Sequence, residues 1–71
     1  MQKATVRWFD NLSQEGMIRV GDESIYINND PVFGYLLYGA PLTLASGQEV
    51  MVEVYRDYNW QQISKIELIE E

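Results

Sequence analysis

The chain has 71 residues, eleven acidic and five basic side chains, a net charge of −6, and neither cysteine nor histidine. This length predicts one domain over residues 1–71. Without cysteine the chain has no disulfide framework or thiolate metal ligand, and without histidine it lacks the commonest general base. We therefore expect no metal, no cofactor and no enzymatic activity.

The acidic balance bears on partners, because it repels polyanions unless the few cations cluster on one face. Solubility is the simplest reason for it. The opening MQKATVRW has no signal-peptide pattern, and no stretch approaches the roughly twenty apolar residues of a membrane span. We expect a cytoplasmic domain with no membrane contact. Because the sequence stops almost where a last strand would end, it suggests a domain cut from, or fused to, a longer chain.

The first half of the chain predicts three strands. Residues 3–10 are rich in β-branched and aromatic side chains. Residues 15–20 (EGMIRV) and 24–28 (SIYIN) alternate around a Gly-Asp turn, which predicts a hairpin with one buried and one wet face. The alternation turns four side chains outward: Met17, Arg19, Tyr26 and Asn28.

A long loop is predicted over residues 28–48, which contain two prolines and many apolar side chains. A short helical turn within 34–38 is compatible with this composition. The loop is too apolar to be freely solvated, so part of it should pack on the body as a lid. A binding loop is the alternative.

Two further strands are predicted over residues 48–56 and 60–70, joined by a turn at 57–59. The second remains ambiguous, since Ile63, Ile66 and Ile69 would also form a helical stripe. Five short strands with turns between them predict an all-β, five-stranded antiparallel barrel, because closure removes exposed sheet edges.

Three segments resemble the cold-shock domain family. ATVRWFDNLSQEGMI (residues 4–18) is similar to the family's Gly-Thr-Val-Lys-Trp-Phe-Asn followed by Lys-Gly-Phe-Gly-Phe-Ile. SIYIN lies where the family has Val-Phe-Val-His-Phe, and SGQEVMVEV matches Gly-Gln-x-Val before the fourth strand. The resemblance implies an OB-fold β-barrel whose second and third strands display stacking residues to single-stranded DNA or RNA.

The resemblance and the alternation together give the candidate nucleic-acid-binding residues. These are Arg7, Trp8, Phe9, Met17, Arg19, Tyr26 and Asn28, with Tyr35 and Tyr38 from the loop. Several positions depart from the family: Ser13 and Gln14 replace Lys-Gly, Glu15 replaces a phenylalanine, and Asn28 and Asn29 replace His-Phe.

Trp8 raises a separate difficulty. Strict alternation places it beside Val6 in the core, so its outward position requires a bulge near Trp8. A buried Trp8 is the alternative.

The expected function is weak binding of single-stranded RNA or DNA with little sequence specificity. Each base stacked on an aromatic ring contributes about 1–3 kcal/mol, so the loss of two or three platforms forfeits roughly several kcal/mol. Glu15 repels phosphate, whereas Arg7 and Arg19, with Lys3, attract it. We expect affinity for a pyrimidine-rich strand to be micromolar or weaker. The alternative is that the same apolar patch serves a protein partner or self-association, because aromatic residues, Met and Arg are enriched at such interfaces.

Overall fold

The computed structural model describes residues 1–29 and 38–69, which form five antiparallel strands and no helix. The strands are β1 (Gln2–Asp10), β2 (Glu15–Val20), β3 (Glu23–Asn28), β4 (Glu49–Asp57) and β5 (Trp60–Leu68). Their bounds follow the predicted strands closely. The helical alternative for residues 60–70 is wrong over the described part, and the suggested helical turn falls mainly outside the described residues.

One sheet contains all five strands, in the order β3-β2-β1-β4-β5. It curls until its edge strands β3 and β5 contact each other, although no backbone ladder joins them in the described parts of the chain. The result is a half-barrel, consistent with a small OB-like barrel. The predicted all-β antiparallel fold is confirmed. We call the line along which the edge strands β3 and β5 meet without a backbone ladder the seam.

The core is built from aliphatic side chains of all five strands and of the segment before β4. In the described part of the chain no aromatic ring is among the buried core side chains, and only Phe9, half-buried, packs against them. The buried hydrophobic residues are Ala4, Val6, Ile18, Val20, Ile25, Ile27, Leu42, Leu44, Val50, Val52, Ile63 and Ile66. The other aromatic rings that the structure describes lie at the surface, where they can meet a ligand.

A β-bulge at Arg7 resolves the difficulty at Trp8. Val6 pairs with Ile18 and Trp8 pairs with Met17, so Arg7 is the extra residue on β1. The bulge shifts the alternation by one position: Val6 is 1% exposed, whereas Trp8 is 44% exposed. The alternative of a buried Trp8 is therefore wrong, and the outward position that required a bulge is confirmed.

A second bulge, at Ser64, explains the helix-like spacing of isoleucines in β5. Glu53 pairs with Lys65 and Val54 with Ile63, so Ser64 is unopposed, and its hydroxyl donates a 3.2 Å hydrogen bond to the Glu53 carbonyl. The extra residue lets Ile63 and Ile66, three positions apart, both face the core. An i, i+3 spacing thus arises from a bulged strand instead of a helix.

Gly16 allows β1 and β2 to pack closely beside the first bulge. A Cβ at this position would contact the Trp8 carbonyl oxygen and lie 2.8 Å from Cδ1 of Phe9. The carbonyl belongs to the backbone and has little freedom to yield. The glycine therefore fixes the backbone that presents Trp8.

An amide clamp formed by Gln14 and Asn29 fastens the segment before β4 to the β1–β2 turn. The Gln14 Oε1 accepts hydrogen bonds from the Leu42 backbone N–H (2.7 Å) and from Nδ2 of Asn29 (3.0 Å). Its Nε2 donates to the Leu42 carbonyl at 2.8 Å, and the Asn29 backbone N–H donates to the Gln14 carbonyl at 2.7 Å.

The clamp and Asn11 hold residues 40–44, a described part of the predicted lid, against the body of the domain. Nδ2 of Asn29 also donates to the Ala40 carbonyl at 2.9 Å, and Oδ1 of Asn11 accepts from the Leu44 N–H at 2.9 Å. Leu42 and Leu44, 2% and 3% exposed, consequently point into the core. Packing of part of this loop on the body is confirmed, and Asn29, itself 1% exposed, belongs to that packing.

We expect Gly16→Ala to lower the free energy of unfolding by about 2 kcal/mol or more, since the added methyl overpacks against backbone. The matched control is Gly21→Ala, where the added Cβ meets nothing within 4 Å but φ is +60°, so a loss of about 1 kcal/mol is expected. Urea denaturation followed by circular dichroism measures both. Equal losses in the two variants would contradict the close-packing argument.

We expect Gln14→Ala to lower the free energy of unfolding by about 2–4 kcal/mol, because it leaves buried polar groups of Leu42 and Asn29 without this partner. Gln14 has φ of 61°, so Gln14→Gly should be about 1 kcal/mol more stable than the alanine variant. Thermal and urea unfolding measure the pair. A loss below about 0.5 kcal/mol for both variants would show that the clamp is dispensable.

Candidate functional site

Three side chains form a row across the outward face of β1, β2 and β3. Trp8 pairs with Met17, and Met17 pairs with Tyr26, so the three lie side by side on neighbouring strands. Trp8 and Tyr26 are 44% and 52% exposed, and Met17 is half-buried between them. We call these residues the aromatic row. It offers two flat rings with a polarizable thioether between them.

The outward face is basic at one of its ends, to one side of the aromatic row. Arg19 pairs with Ser24, and the bulged Arg7 reaches the same place because its Nη1 donates a 2.8 Å hydrogen bond to the Ser24 hydroxyl. Arg7, Arg19 and Lys3 line one surface depression, so three of the five basic residues of the chain share this end. Lys3 lies 3.8 Å from the Glu49 carboxylate, an exposed pair of small energetic value.

The opposite end of the outward face, on the other side of the aromatic row, is acidic and polar. Asp10, Glu15 and Asn28 pair in register across the same three strands. The Asp10 carboxylate accepts hydrogen bonds from the backbone N–H groups of Leu12 (2.9 Å) and Ser13 (3.2 Å), and these bonds lower the pKa of Asp10. An Asp carboxyl is ionised at neutral pH even at its ordinary pKa, so Asp10 places a negative charge beside the aromatic row.

Glu15 also acts directly on the aromatic row. The Tyr26 hydroxyl donates a 2.7 Å hydrogen bond to Oε2 of Glu15. That bond, with smaller contributions from desolvation and from the carboxylate charge, raises the pKa of Tyr26, while a hydrogen bond from Asn28 acts in the opposite direction. The phenol is thus tethered toward the acidic end of the face.

The structure brings together five of the nine predicted site residues. They are Arg7, Trp8, Met17, Arg19 and Tyr26, and the outward positions predicted for Trp8, Met17, Arg19 and Tyr26 are confirmed. This places two rings and two guanidinium groups on one surface of the half-barrel. Whether that surface binds nucleic acid stays a prediction.

Of the other four predicted residues, three lie in the part of the chain that the structure describes. Phe9 is half-buried and packs against the core, on the side of β1 opposite the aromatic row. Asn28 is half-buried, and its Oδ1 is sealed from solvent without a hydrogen-bond partner in the part of the chain that the structure describes. Tyr38 is 42% exposed in the segment before β4. Tyr35 lies outside the described residues.

Two features of the site were missed from the sequence. Trp60, 66% exposed, lines a groove together with Tyr26 across the seam between β3 and β5. Gln14 and Asn29, which depart from the family pattern, form the clamp with their side-chain amides. The available signal for the clamp was one amide residue at the end of the β1–β2 turn, Gln14, and another at the start of the long loop, Asn29. Nothing local in β5 indicated the groove.

No model of a known protein family matches the chain, and no match was found among curated proteins. The described residues contain no helix that is long and apolar enough to cross a membrane. Within residues 1–29 and 38–69, no group of three or more acidic side chains is placed to hold a metal ion.

We expect Glu15→Gln to lower the pKa of Tyr26, because the charged acceptor that stabilises the protonated phenol is removed. Since the folded-state pKa is raised, this bond contributes stability below the unfolded pKa of about 10 and loses it as pH rises through the folded pKa. NMR titration of ¹³C-labelled tyrosine Cζ measures the shift. Glu53→Gln on the exposed face of β4 is the control, and an unchanged Tyr26 pKa in Glu15→Gln would contradict the assignment.

Proposed function

We propose that this domain binds single-stranded RNA or DNA, weakly and with little base-sequence preference, and that it is a binding module, not an enzyme. The observation that carries the proposal is the aromatic row of Trp8, Met17 and Tyr26, set in register beside the guanidinium groups of Arg7 and Arg19. Exposed rings beside a cationic track are what sequence-tolerant single-strand binding requires.

Each part of the face has a defined task in this proposal. Bases stack on Trp8 and Tyr26, with Met17 filling the space between the rings. Phosphates approach the basic end, where Arg7, Arg19 and Lys3 surround the depression. Arg7 is held by Ser24 with one nitrogen and retains further N–H donors for a phosphate oxygen. Stacking supplies most of the affinity, because few cations are available.

The acidic end limits the affinity. Glu15 lies next to Met17 on β2 and holds the Tyr26 hydroxyl, so a phosphate beyond the aromatic row meets a carboxylate instead of a cation. The net charge of −6 adds a long-range repulsion that salt screens. We therefore expect binding at micromolar concentrations or weaker, as the sequence indicated.

The resemblance to cold-shock domains supports the proposal at the level of the fold. The half-barrel has the strand number and antiparallel pairing that the resemblance implied. Gln14, at the position of a family glycine, has a left-handed φ of 61°, the backbone conformation that glycine adopts most readily. We propose that the chain is a divergent cold-shock-like OB module, which would act in the cytoplasm.

A second candidate function is protein interaction or self-association. The observation that favours it is a further group of exposed rings on the β4–β5 hairpin: Tyr55, Tyr58 and Trp60 are 47%, 90% and 66% exposed. Exposed aromatic groups are typical of protein interfaces, and an acidic domain meets a basic protein more readily than a polyanion. A protein partner or a fused domain would then occupy this surface.

Binding of a labelled oligo(dT) of about eight nucleotides, within the range that one OB fold covers, tests the proposal by fluorescence anisotropy. We expect Trp8→Ala to weaken binding about five- to a hundredfold, as the loss of one stacking platform predicts. Tyr55→Ala, an exposed ring on β4, should leave the affinity unchanged.

The salt dependence separates phosphate binding from stacking. With two or three phosphates engaged, the slope of log K against log salt should be about −1.5 to −2, and Arg19→Gln should reduce its magnitude by about 0.7. Equal affinities for the wild type and Trp8→Ala, with no salt dependence, would reject the proposal. Concentration-dependent sedimentation that Trp8→Ala abolishes would favour self-association.

A further inference from the structure

We propose a second base-binding site in the seam between β3 and β5, where Trp60 and Tyr26 together receive one nucleobase of the same single strand. This inference rests on the proposed function and extends the path of the strand beyond β3. It assigns a role to Trp60, which lies outside the face formed by β1, β2 and β3.

The site is a groove whose two walls come from the two edge strands. Tyr26 of β3 lines one wall, and Trp60, at the start of β5, lines the other. The two-residue turn of Tyr58 and Asn59 directly precedes Trp60, and the ladder pair between Asp57 and Trp60 closes the hairpin. The turn and the ladder pair thus define the backbone that carries the indole, so little backbone ordering is required when a base binds.

The lining of the groove is suited to the edges of a base. Asn59, Gln61 and Gln62 line the groove on the same side as Trp60, and the side-chain amide of each offers both a donor and an acceptor. The Gln61 Oε1 is sealed from solvent and has no hydrogen-bond partner in the described parts of the chain. The exposed Asn59 is therefore the amide residue that the edge of a base meets first.

Charge indicates that the groove takes the base and excludes the phosphate. No lysine or arginine is among the residues described as lining it, and its charged member is Glu23. A phosphate would meet a carboxylate there without a cation to offset it. The uncharged base with its flat face is the part of a nucleotide that fits these walls, while the backbone stays outside.

Continuity with the aromatic row connects the two sites. The row crosses β1, β2 and β3 at the strand spacing of about 4.8 Å and ends at Tyr26. Tyr26 is therefore shared: its ring is the last member of the row and the first wall of the groove. A strand that stacks on Trp8 and then on Tyr26 reaches the seam with its next base, opposite Trp60.

The length of the oligonucleotide separates the two sites experimentally. Trp60→Ala should weaken binding of an oligo(dT) of about eight nucleotides roughly five- to tenfold, at the lower end of the range for one stacked base, since Trp60 is an exposed platform. It should leave binding of a dT dinucleotide unchanged, because the two bases occupy Trp8 and Tyr26 and none reaches Trp60. Trp8→Ala should weaken both.

The matched control is Tyr58→Ala, which removes a neighbouring ring that is 90% exposed and does not line the groove. Quenching of Trp60 by the longer oligonucleotide in a Trp8→Phe background reports contact at the groove directly. Circular dichroism melts confirm that each variant is folded, and Trp60→Phe should retain most of the affinity because it keeps an aromatic ring.

Three outcomes would overturn the inference. If Trp8→Ala weakens binding and Trp60→Ala behaves like Tyr58→Ala, the seam is no binding site although the proposed function stands. If neither tryptophan affects binding, the proposed function fails and the inference fails with it. If Trp60→Ala instead abolishes a self-association seen by sedimentation without nucleic acid, the groove is a protein contact.

Discussion

The β-bulge at Arg7 is the constraint on which the candidate site depends. A single extra residue between Val6 and Trp8 keeps Val6 in the core and turns the indole to the outside, in register with Met17. The same residue sends its guanidinium group across β2 to Ser24. Gly16 makes the arrangement sterically possible, because any side chain there would collide with the carbonyl of Trp8. Without this bulge the aromatic row would lose its first ring and the basic end one of its two arginines.

The polar residues around the face divide between holding the fold and opposing a polyanion. Gln14 and Asn29 are committed to the clamp, since their amides seat the buried Leu42 and the segment around it. Glu15 faces outward and ties the Tyr26 hydroxyl while adding negative charge. Departures from the cold-shock pattern that look alike in the sequence therefore differ in physical effect. Gln14 and Asn29 hold the segment before β4 on the half-barrel, whereas Glu15 changes the electrostatics of the face.

The fold and the candidate site differed in how far local pattern could predict them. Alternation of apolar and polar residues in β2, β3 and β4 assigned the core face there, because a strand's side chains alternate with a period of two. The pattern fails at Arg7 and Ser64, where a bulge adds one residue. There Val6 and Phe9, like Ile63 and Ile66, stand three positions apart yet all face inward. The same spacing is typical of a helix, so β5 stayed ambiguous until its pairing with β4 was seen.

Sequence alone determined the strand-forming segments, the aliphatic core, the acidic charge, and the absence of the residues on which thiolate and imidazole chemistry depends. These follow from composition and short-range periodicity, which act within a few residues. Tertiary structure alone decided that Trp8 faces outward, that Gln14 in the β1–β2 turn reaches Leu42, and that Trp60 and Tyr26 line one groove across the seam. Those contacts join residues distant along the chain, and they depend on how the sheet curls and where its bulges fall. The physical reason is that curling and register are properties of paired strands, whereas periodicity is a property of one strand.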